Sequence, residues 1–459
     1  MANDQSTVIP AVQAMREDWT VVDALMGGTK AMRKAGELFL PKWPKEEADA
    51  YKDRLNLSTL LPAYSETVQN MTGRVFADEI TLGDDVPGDI VTLCDNIDRQ
   101  GNNLQVWAQD LFRAGIADGL CHVLVDYPQA EGIKTKADEI AAGVRPYAVI
   151  IKGSQVLGWR TSGANGEQAL SMFRYKETVE ESDPENEFST KSVNQIRVLE
   201  PGKWATYRKV DAGKGNSVWA MYESGTTTLN QIPITTFYTK RTGFMTASPP
   251  LLELAHLNIK HWQSQSDQDN ILHIARVPML AVIGVEDSYE LKVGTGSATN
   301  LPVDGDMKWV EHNGKAIEAG RQSLLDILDD MRIAGGKLLH KEKKVTKTAT
   351  QAEDEEAQEM SPLQTMAGQL EDAIDQVLQF FAMWLKQTSG GKVKVNGNFE
   401  IDYAPETTLP FLISMVNAGL LSKESFFAEV KRRGVVSGDI VWEEEKGRIS
   451  TQGPALGAL

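Results

Sequence analysis

A seven-residue apolar repeat is the most regular feature of the sequence. The repeated positions are Leu363, Leu370, Val377 and Trp384, with Ala367, Ile374 and Phe381 beside them. Seven residues make nearly two turns of an α-helix, so these side chains lie along one face. We therefore predict a long helix with a sustained apolar stripe.

Length and composition are those of a folded protein with more than one domain. The chain has 459 residues, of which 41% are apolar and 24% are charged, and this length favours about two to four domains. The formal net charge of −17 and the pI near 5.0 argue against general coating of nucleic acid, which needs a basic surface. They do not exclude a channel through which DNA moves without adhering.

The sequence also predicts a soluble protein of a reducing compartment. Cys94 and Cys121 are too few for a disulfide framework. Residues 1–19 lack the basic start and the apolar core of a signal peptide. No window approaches the roughly 18 apolar residues that a membrane span requires.

The first part of the chain is expected to be helical, up to about residue 120. One predicted helix has its apolar face formed by Leu60, Tyr64, Val68, Met71 and Val75. A second helix is predicted at 103–119, ended by Gly119. The apolar run 120–128 that follows suits a buried strand.

A β-rich region is predicted between about residues 145 and 240. Short segments rich in Val, Ile, Tyr and Thr alternate with Gly, Pro and Asn turns, which is typical of an antiparallel meander. Within it, the acidic segment 176–189 is expected to form an exposed loop between two strands.

Two helices around a short β segment are predicted next. The first covers 248–275, with Ser248 as its cap and a proline in its first turn. Its polar middle, residues 260–270, requires neighbours on a solvated flank. Residues 277–315 are expected to form a small β excursion, and a returning helix covers 319–336.

Shorter elements are expected after residue 388. The Asn396-Gly397 dipeptide predicts a hairpin over 392–404. Two or three short helices follow, with Ser422 capping one of them. Residues 450–459 are expected to form a mobile tail.

No arrangement of residues indicates an enzyme, and we predict no catalytic residue, no cofactor and no metal. The sequence contains no phosphate-binding loop and no nucleophile elbow. His256, His261 and His273 share one predicted helix, but their spacings of five and twelve do not bring ligands onto one face.

Two further candidates for chemistry lie on the strand predicted at 120–128. Cys121 and His122 are neighbours there, so their side chains should point to opposite faces, which argues against a catalytic dyad. Asp126 could bind a ligand, but a turn-forming role is the simpler interpretation.

A lysine-rich segment contrasts with the negative net charge of the chain. It contains Lys337, Lys341, Lys343, Lys344 and Lys347. Gly335 and Gly336 precede it and are expected to form a hinge, and the segment joins two long helices. One interpretation is a solvated charge run; the other is intermittent, sequence-independent contact with a polyanion such as DNA.

The order of these elements resembles that of tailed-bacteriophage portal proteins. The resemblance is strongest to a portal-like group catalogued as a domain of unknown function, and it covers most of residues 50–435. The segments that carry it are 54–76, 119–128, 257–284, 347–384 and 412–436.

The resemblance implies a ring of about twelve subunits at one capsid vertex. Double-stranded DNA would pass non-specifically through its channel during packaging and ejection. The implied partners are the terminase large subunit, a head-completion adaptor, and the major capsid or scaffold protein, with no membrane. The implied location is the virion, after assembly in the host cytoplasm.

The resemblance also implies an α+β subunit with named parts. The wing would be residues 1–247, helical to about 120 and β-rich over 121–247. A stem helix at 248–276, a clip at 277–315 and a second stem helix at 316–336 would follow. The remaining parts would be a DNA-facing tunnel loop at 337–350, a long wing helix and hairpin at 351–405, and a short crown and tail at 406–459.

Two alternatives remain open at the level of the sequence. Another ring-forming head-tail connector would share the symmetry, but such chains are usually shorter and lack two long helices around a β insertion. A soluble enzyme with an unrecognised site would instead show activity as an isolated chain.

Overall fold

Helices and antiparallel sheets occupy separate stretches of the chain, which confirms the predicted α+β class. The structure is a computed structural model. It describes residues 4–128, 142–163, 169–211, 213, 216–276, 279–284, 304–310, 315–339, 360–399, 405–432, 435–436 and 440–451.

Six helices form the first part of the chain, as predicted. They are α1 (Pro10–Met26), α2 (Gly28–Ala35), α3 (Ala48–Leu57), α4 (Ala63–Val75), α5 (Gly88–Cys94) and α6 (Leu104–Asp118). The apolar face predicted around α4 is buried from Leu60 to Val75. Asn103 caps α6 by accepting a hydrogen bond from the Val106 amide, and Gly119 ends it at a φ of 90°. Such a left-handed residue at a helix end favours glycine.

A three-stranded antiparallel sheet lies at the centre, in the order β3 (Tyr147–Lys152), β2 (Leu120–Asp126), β9 (Ile234–Tyr238). The middle strand, β2, separates two apolar cores. Its residues Leu120 and Leu124 pack with Trp19 in the smaller core. Cys121 and Val123 face the larger core, which is built mainly from helices. This alternation is the two-residue period of a strand buried on both faces.

A five-stranded antiparallel sheet follows β3 along the chain, and it confirms the predicted meander. Its strands are β4 (Val156–Ser162), β5 (Ala169–Ser182), β6 (Thr190–Glu200), β7 (Lys203–Asp211) and β8 (Ser217–Thr226), adjacent in that order. The predicted acidic loop is shorter than expected. Residues 176–182 continue β5, and only 183–189 form the connection. The segment also contains Thr178 and Val179, whose β propensity favours its pairing with β6 as a strand.

A partly buried ion pair joins the two sheets. The Arg197 guanidinium, on β6, lies 2.8 Å from the Asp126 carboxylate at the end of β2. The Tyr147 hydroxyl donates to the same carboxylate at 3.1 Å. Asp126 also accepts a hydrogen bond from the Tyr127 amide. The turn role predicted for Asp126 is therefore only part of its function, because it also holds the sheets together.

Two long helices extend from the larger core and enclose a hairpin. They are α7 (Leu252–Ala275) and α8 (Lys315–Gly336), and the hairpin pairs β12 (Met279–Ile283) with β13 (Asp306–Val310). The antiparallel register runs from Met279 opposite Val310 to Ile283 opposite Asp306, as expected for the β excursion. Helix α7 begins four residues after the predicted cap, Ser248, because the two prolines that follow Ser248 lie ahead of its first turn.

The apolar repeat forms α9 (Pro362–Trp384). Its stripe is buried from Leu363 to Phe381, and the Trp384 indole donates to the Val125 carbonyl at 3.2 Å. The resemblance implied a start at residue 351, but this helix starts at Pro362, and residues 351–359 lie outside the described residues. Ser361 caps the helix by accepting a hydrogen bond from the Gln364 amide, and Pro362 occupies the first turn, a strong helix start.

The described residues also form three two-stranded sheets, one of which is the β12–β13 hairpin. The other two pair β1 (Thr81–Leu82) with β14 (Val393–Lys394) and β10 (Arg241–Gly243) with β11 (Thr246–Ala247). The predicted hairpin at Asn396-Gly397 is wrong for the described residues. There β14 pairs with β1, and the Asn396 side chain donates to the Glu79 carbonyl and the Thr81 hydroxyl. A partner distant in sequence has replaced the local turn.

Three short helices end the described chain: α10 (Pro405–Asn417), α11 (Lys423–Arg432) and α12 (Trp442–Thr451). The Ser422 hydroxyl accepts a hydrogen bond from the Ser425 amide at 3.0 Å, which confirms the predicted cap. Ser450 and Thr451 belong to α12. The rest of the predicted tail, 452–459, lies outside the described residues.

Candidate functional site

The α7–α8 pair presents the main candidate surface, because it leaves the body as an antiparallel unit. Near the body, Leu254 of α7 and Met331 of α8 belong to the larger core. Further out, Gln268 donates a hydrogen bond to the Ile317 carbonyl at 2.9 Å. A Cβ at Gly320 would collide with the Gln268 side chain. The small residue therefore allows the two helices to approach closely at their outer end.

The polar middle of α7 has a solvated flank, as predicted, and a buried one. Lys260, Asp267 and Asp269 are exposed, whereas Ser266 and Gln268 are buried. Asn258 accepts a hydrogen bond from the Tyr64 amide at 3.1 Å and donates to the Leu61 carbonyl at 3.0 Å. The Ser58 hydroxyl donates to the Ser266 hydroxyl at 2.9 Å. These bonds to the N-terminal helices satisfy polar groups that would otherwise be costly to bury.

The outer face of α8 is exposed and acidic. Glu318, Asp326, Asp329 and Asp330 are all exposed. Arg321 pairs with Glu318 at 2.9 Å, and Arg332 pairs with Asp329 at 2.8 Å, so two of the acids are partly neutralised. Two apolar side chains interrupt this face, Leu325 and Ile333, of which Ile333 is 65% exposed.

The two ends of the chain that contains the lysine-rich segment lie next to each other at the surface of the larger core. The Leu363 amide donates to the Leu338 carbonyl at 3.0 Å, and both leucines belong to the larger core. Lys337 is exposed beside this junction. The other candidate DNA-facing residues, Lys341, Lys343, Lys344 and Lys347, lie outside the described residues, so their contacts stay predictions.

The predicted glycine hinge is wrong. Gly335 and Gly336 are the last two residues of α8, and Gly335 is buried. A Cβ on Gly335 would lie 3.2 Å from the Thr67 hydroxyl. The glycines therefore allow close packing against α4 at the base of the lysine-rich segment.

The histidines of α7 do not converge. His256 and His273 are exposed, whereas His261 is buried, and burial lowers its pKa. Within the described ranges, no group of three His, Cys, Asp or Glu side chains could hold a metal ion.

Cys121 and His122 point to opposite sides of β2, as predicted. The Cys121 thiol lies 3.4 Å from the Ile151 carbonyl. The His122 ring lies 2.9 Å from the Thr236 hydroxyl and packs edge-on against Phe173. Burial lowers the pKa of His122 to about 3, so the imidazole is neutral at ordinary pH and acts as a core residue.

Sequence reasoning missed a buried acid, Asp118. Burial raises its pKa to about 7, and the nearby Asp23 carboxylate adds to this effect, whereas Lys152 opposes it. A signal existed, since Asp118 follows the buried Leu111 and Gly115 at helical spacing on α6. Its surroundings are core packing around Trp19, whose indole donates to the Asp118 carbonyl at 2.8 Å.

Part of the chain is similar to a known sequence family. Residues 250–385 match a family described as a domain of unknown function, DUF4055. The match covers less than a third of the chain and spans α7, the β12–β13 hairpin, α8 and α9. None of the curated proteins matches the chain. Within the described helices, none is long and apolar enough to cross a membrane.

Solved structures of gene transfer agent (GTA) particles contain chains of similar outline. A chain of the virion of the native GTA particle is 10% identical, with a TM-score of 0.40 over 86% of this chain and 91% of that one. A chain from the neck of the empty particle is 11% identical, with a TM-score of 0.42 over the same shares. A chain from the neck of the native particle is 12% identical, with a TM-score of 0.38 over 82% and 89%. Similarity at this level does not establish a common fold.

Proposed function

We propose that this chain is a phage portal protein, the subunit of a ring of about twelve copies that forms the DNA channel at one capsid vertex. In this proposal α7 and α8 are the stem, the β12–β13 hairpin belongs to the clip, and the lysine-rich segment is the tunnel loop. The wing comprises the two larger sheets and the helices packed on them, and α10–α12 form the crown.

The observation that carries the proposal is the antiparallel α7–α8 pair. It is anchored in the core at one end and joined to a β hairpin at the other. The chain that connects α8 to α9 starts at the anchored end. This is the order of parts that the resemblance to portal proteins implies, and the family match at 250–385 covers the same stretch.

Electrostatics support the same assignment. The chain carries a net charge of −17, and the outer face of α8 exposes several carboxylates. Carboxylates that line a channel repel phosphate and keep DNA from adhering. Lysines repeated around a ring would supply a local, non-specific and salt-sensitive attraction.

The clip offers the surface for other virion proteins in this proposal. The terminase large subunit would dock there during packaging, and the head-completion adaptor would replace it afterwards. The exposed Leu325 and Ile333 of α8 suit contact with a neighbouring subunit, because exposed apolar side chains on a helix face favour assembly.

Particle mass and shape test the proposal. Light scattering on the purified protein should give about twelve times the chain mass, and negative-stain images of the same peak should show rings with a central hole. A protein that stays monomeric at high concentration and hydrolyses a small substrate would contradict the proposal and favour an enzyme.

A further inference from the structure

The connection between β5 and β6 is an ordered acidic tip with an exposed aromatic side chain. Phe188 is 92% exposed, and Glu185 and Glu187 beside it have no ion pair among the described residues. Hydrogen bonds fix the turn: Asp183 accepts from the Glu185 amide at 3.0 Å, and Asn186 accepts from the Phe188 amide at 3.1 Å. We call residues 183–189 the acidic tip.

A trough lies on one face of the same five-stranded sheet. Its volume is about 990 Å³, within the range of protein sites that bind a ligand or a few side chains. The floor contains Met172, Tyr207 and Met221. The pairing register places Arg174, Val198, Ala205 and Ser224 in one row across β5 to β8.

Basic side chains dominate one wall of the trough. Arg174 donates hydrogen bonds to the Gln5 and Thr7 carbonyls, at 2.6 and 3.1 Å, and so holds the N-terminal segment along the wall. Arg160 lines the trough without an ion pair among the described residues. The pKa of Arg174 is lowered mainly by burial, and the positive charge of Arg160 adds to this effect. The lining carboxylates are already engaged, Glu200 by Lys203 and Asp4 by Ser6.

The acidic tip complements the trough in charge and in apolar character. Carboxylates pair well with guanidinium groups, and methionine side chains pack favourably on an aromatic ring. The tip cannot reach the trough of its own chain. Arg174 lies inside β5, nine residues or about 30 Å from the start of the tip, on a sheet held by continuous hydrogen bonds.

We propose that the acidic tip of one copy docks in the trough of a neighbouring copy, with Phe188 on the apolar floor and Glu185 and Glu187 near Arg160. The two surfaces differ, so the contact is head-to-tail and can be repeated around a ring. The ordered turn lowers the entropic cost of docking. This inference rests on the proposed ring function, which it deepens by naming a contact between subunits.

Charge exchange tests the recognition. The double variant E185R/E187R and the single variant R160E should each weaken assembly at least tenfold in a concentration series followed by sedimentation velocity. The triple variant should recover most of the loss, because it restores opposite charges across the contact. Equal weakening in the triple variant would overturn the pairing.

Cross-linking decides the contact directly. The native cysteines, Cys94 and Cys121, are buried, so a thiol-specific cross-linker should react only with engineered cysteines at exposed positions. The full chain carrying S182C beside the tip and M221C in the trough, treated with a short thiol-to-thiol cross-linker, should give a ladder of covalent multimers. The control pairs S182C with V218C, which lies on the same strand as Met221 but on the opposite face, and it should give no ladder.

The outcomes separate this inference from the proposed function. Rings in negative stain without a ladder would overturn the tip-in-trough contact and leave the portal proposal standing. A ladder without closed rings would support the contact and contradict the portal proposal. Neither rings nor a ladder at high concentration would overturn both.

Discussion

The backbone amide of Leu363 donates a hydrogen bond to the carbonyl of Leu338 at 3.0 Å. This bond joins the end of α8 to the start of α9, and both side chains are buried in the larger core. The chain between them therefore begins and ends at a fixed point, where Lys337 is exposed. Four of the five candidate DNA-binding lysines belong to that intervening chain.

Replacing Lys341, Lys343, Lys344 and Lys347 with Ala should leave assembly intact and lower the retention of packaged DNA. Removing one lysine–phosphate interaction should reduce the slope of log affinity against log salt by up to about 0.9. Particle mass, encapsidated DNA and a salt series of DNA binding measure these effects. A control neutralises acids of the same segment, E353Q with E355Q and E356Q, and should not reduce retention. Unchanged retention in the lysine variant would mean that the segment is only a solvated charge run.

Truncation of either leucine at the junction should destabilise the protein. Leu338→Ala or Leu363→Ala removes buried methyl groups and leaves a cavity, which costs about 2–4 kcal/mol of unfolding free energy. Chemical denaturation measures the change. Leu57→Ala, at the exposed end of α3, is the matched control and should change stability by less than about 0.5 kcal/mol. Equal effects at the three positions would contradict a buried junction between α8 and α9.

Asp118→Asn should flatten the pH dependence of stability between about pH 4 and pH 7. Burial raises the pKa of Asp118 to about 7, so the folded protein holds a proton that the unfolded chain, with a pKa near 3.9, has lost. Wild-type stability from this group is therefore full at low pH and declines as pH rises through that window. The decline is on the order of 4 kcal/mol, since each unit of pKa difference corresponds to about 1.4 kcal/mol.

Denaturation midpoints at pH 4.5 and pH 8 measure the effect of Asp118→Asn. The variant should match the wild type at the lower pH and exceed it at the higher pH. An exposed change, Asp110→Asn on the same helix, is the control. Parallel profiles for the wild type and Asp118→Asn would contradict a protonated, buried Asp118.

Gly119→Ala should cost more than about 2 kcal/mol, whereas Gly368→Ala should be neutral or stabilising by up to about 1 kcal/mol. Gly119 has a φ of 90°, and a Cβ there would collide with the Ser248 carbonyl; both effects disfavour alanine. Gly368 lies inside α9 with no atom near its missing Cβ, so alanine only improves helix propensity. Thermal unfolding of the two variants makes the comparison, and similar midpoints would contradict this account of Gly119.

Local sequence patterns predicted the elements whose stabilising contacts are local. The face of α4 and the left-handed Gly119 follow from helical spacing and helix-end chemistry, and both are present. The meander from β4 to β8 connects strands adjacent in sequence, so its turn signals sufficed. The stripe of α9 was correct, but its start at Pro362 was not anticipated, because Ser361 and Pro362 were not weighed as a cap.

Predictions failed where a distant segment supplied the partner. Asn396-Gly397 indicates a hairpin by itself, but Asn396 bonds to residues near β1. The polar middle of α7 does have the predicted solvated flank, but its buried flank, where Ser266 bonds to Ser58 beside α3, was not predicted. The trough was missed because charge and aromatic content do not reveal which strands of a sheet together form a concave surface.

The central strand β2 also has a consequence for how the protein comes apart. Leu120 and Leu124 complete one core and Cys121 and Val123 complete the other, so loss of either core exposes a face of the same strand. Unfolding of one core therefore also destabilises the other, because both cores depend on the same strand. The two cores should therefore melt in a single cooperative transition, although the sheets on which they rest are separate.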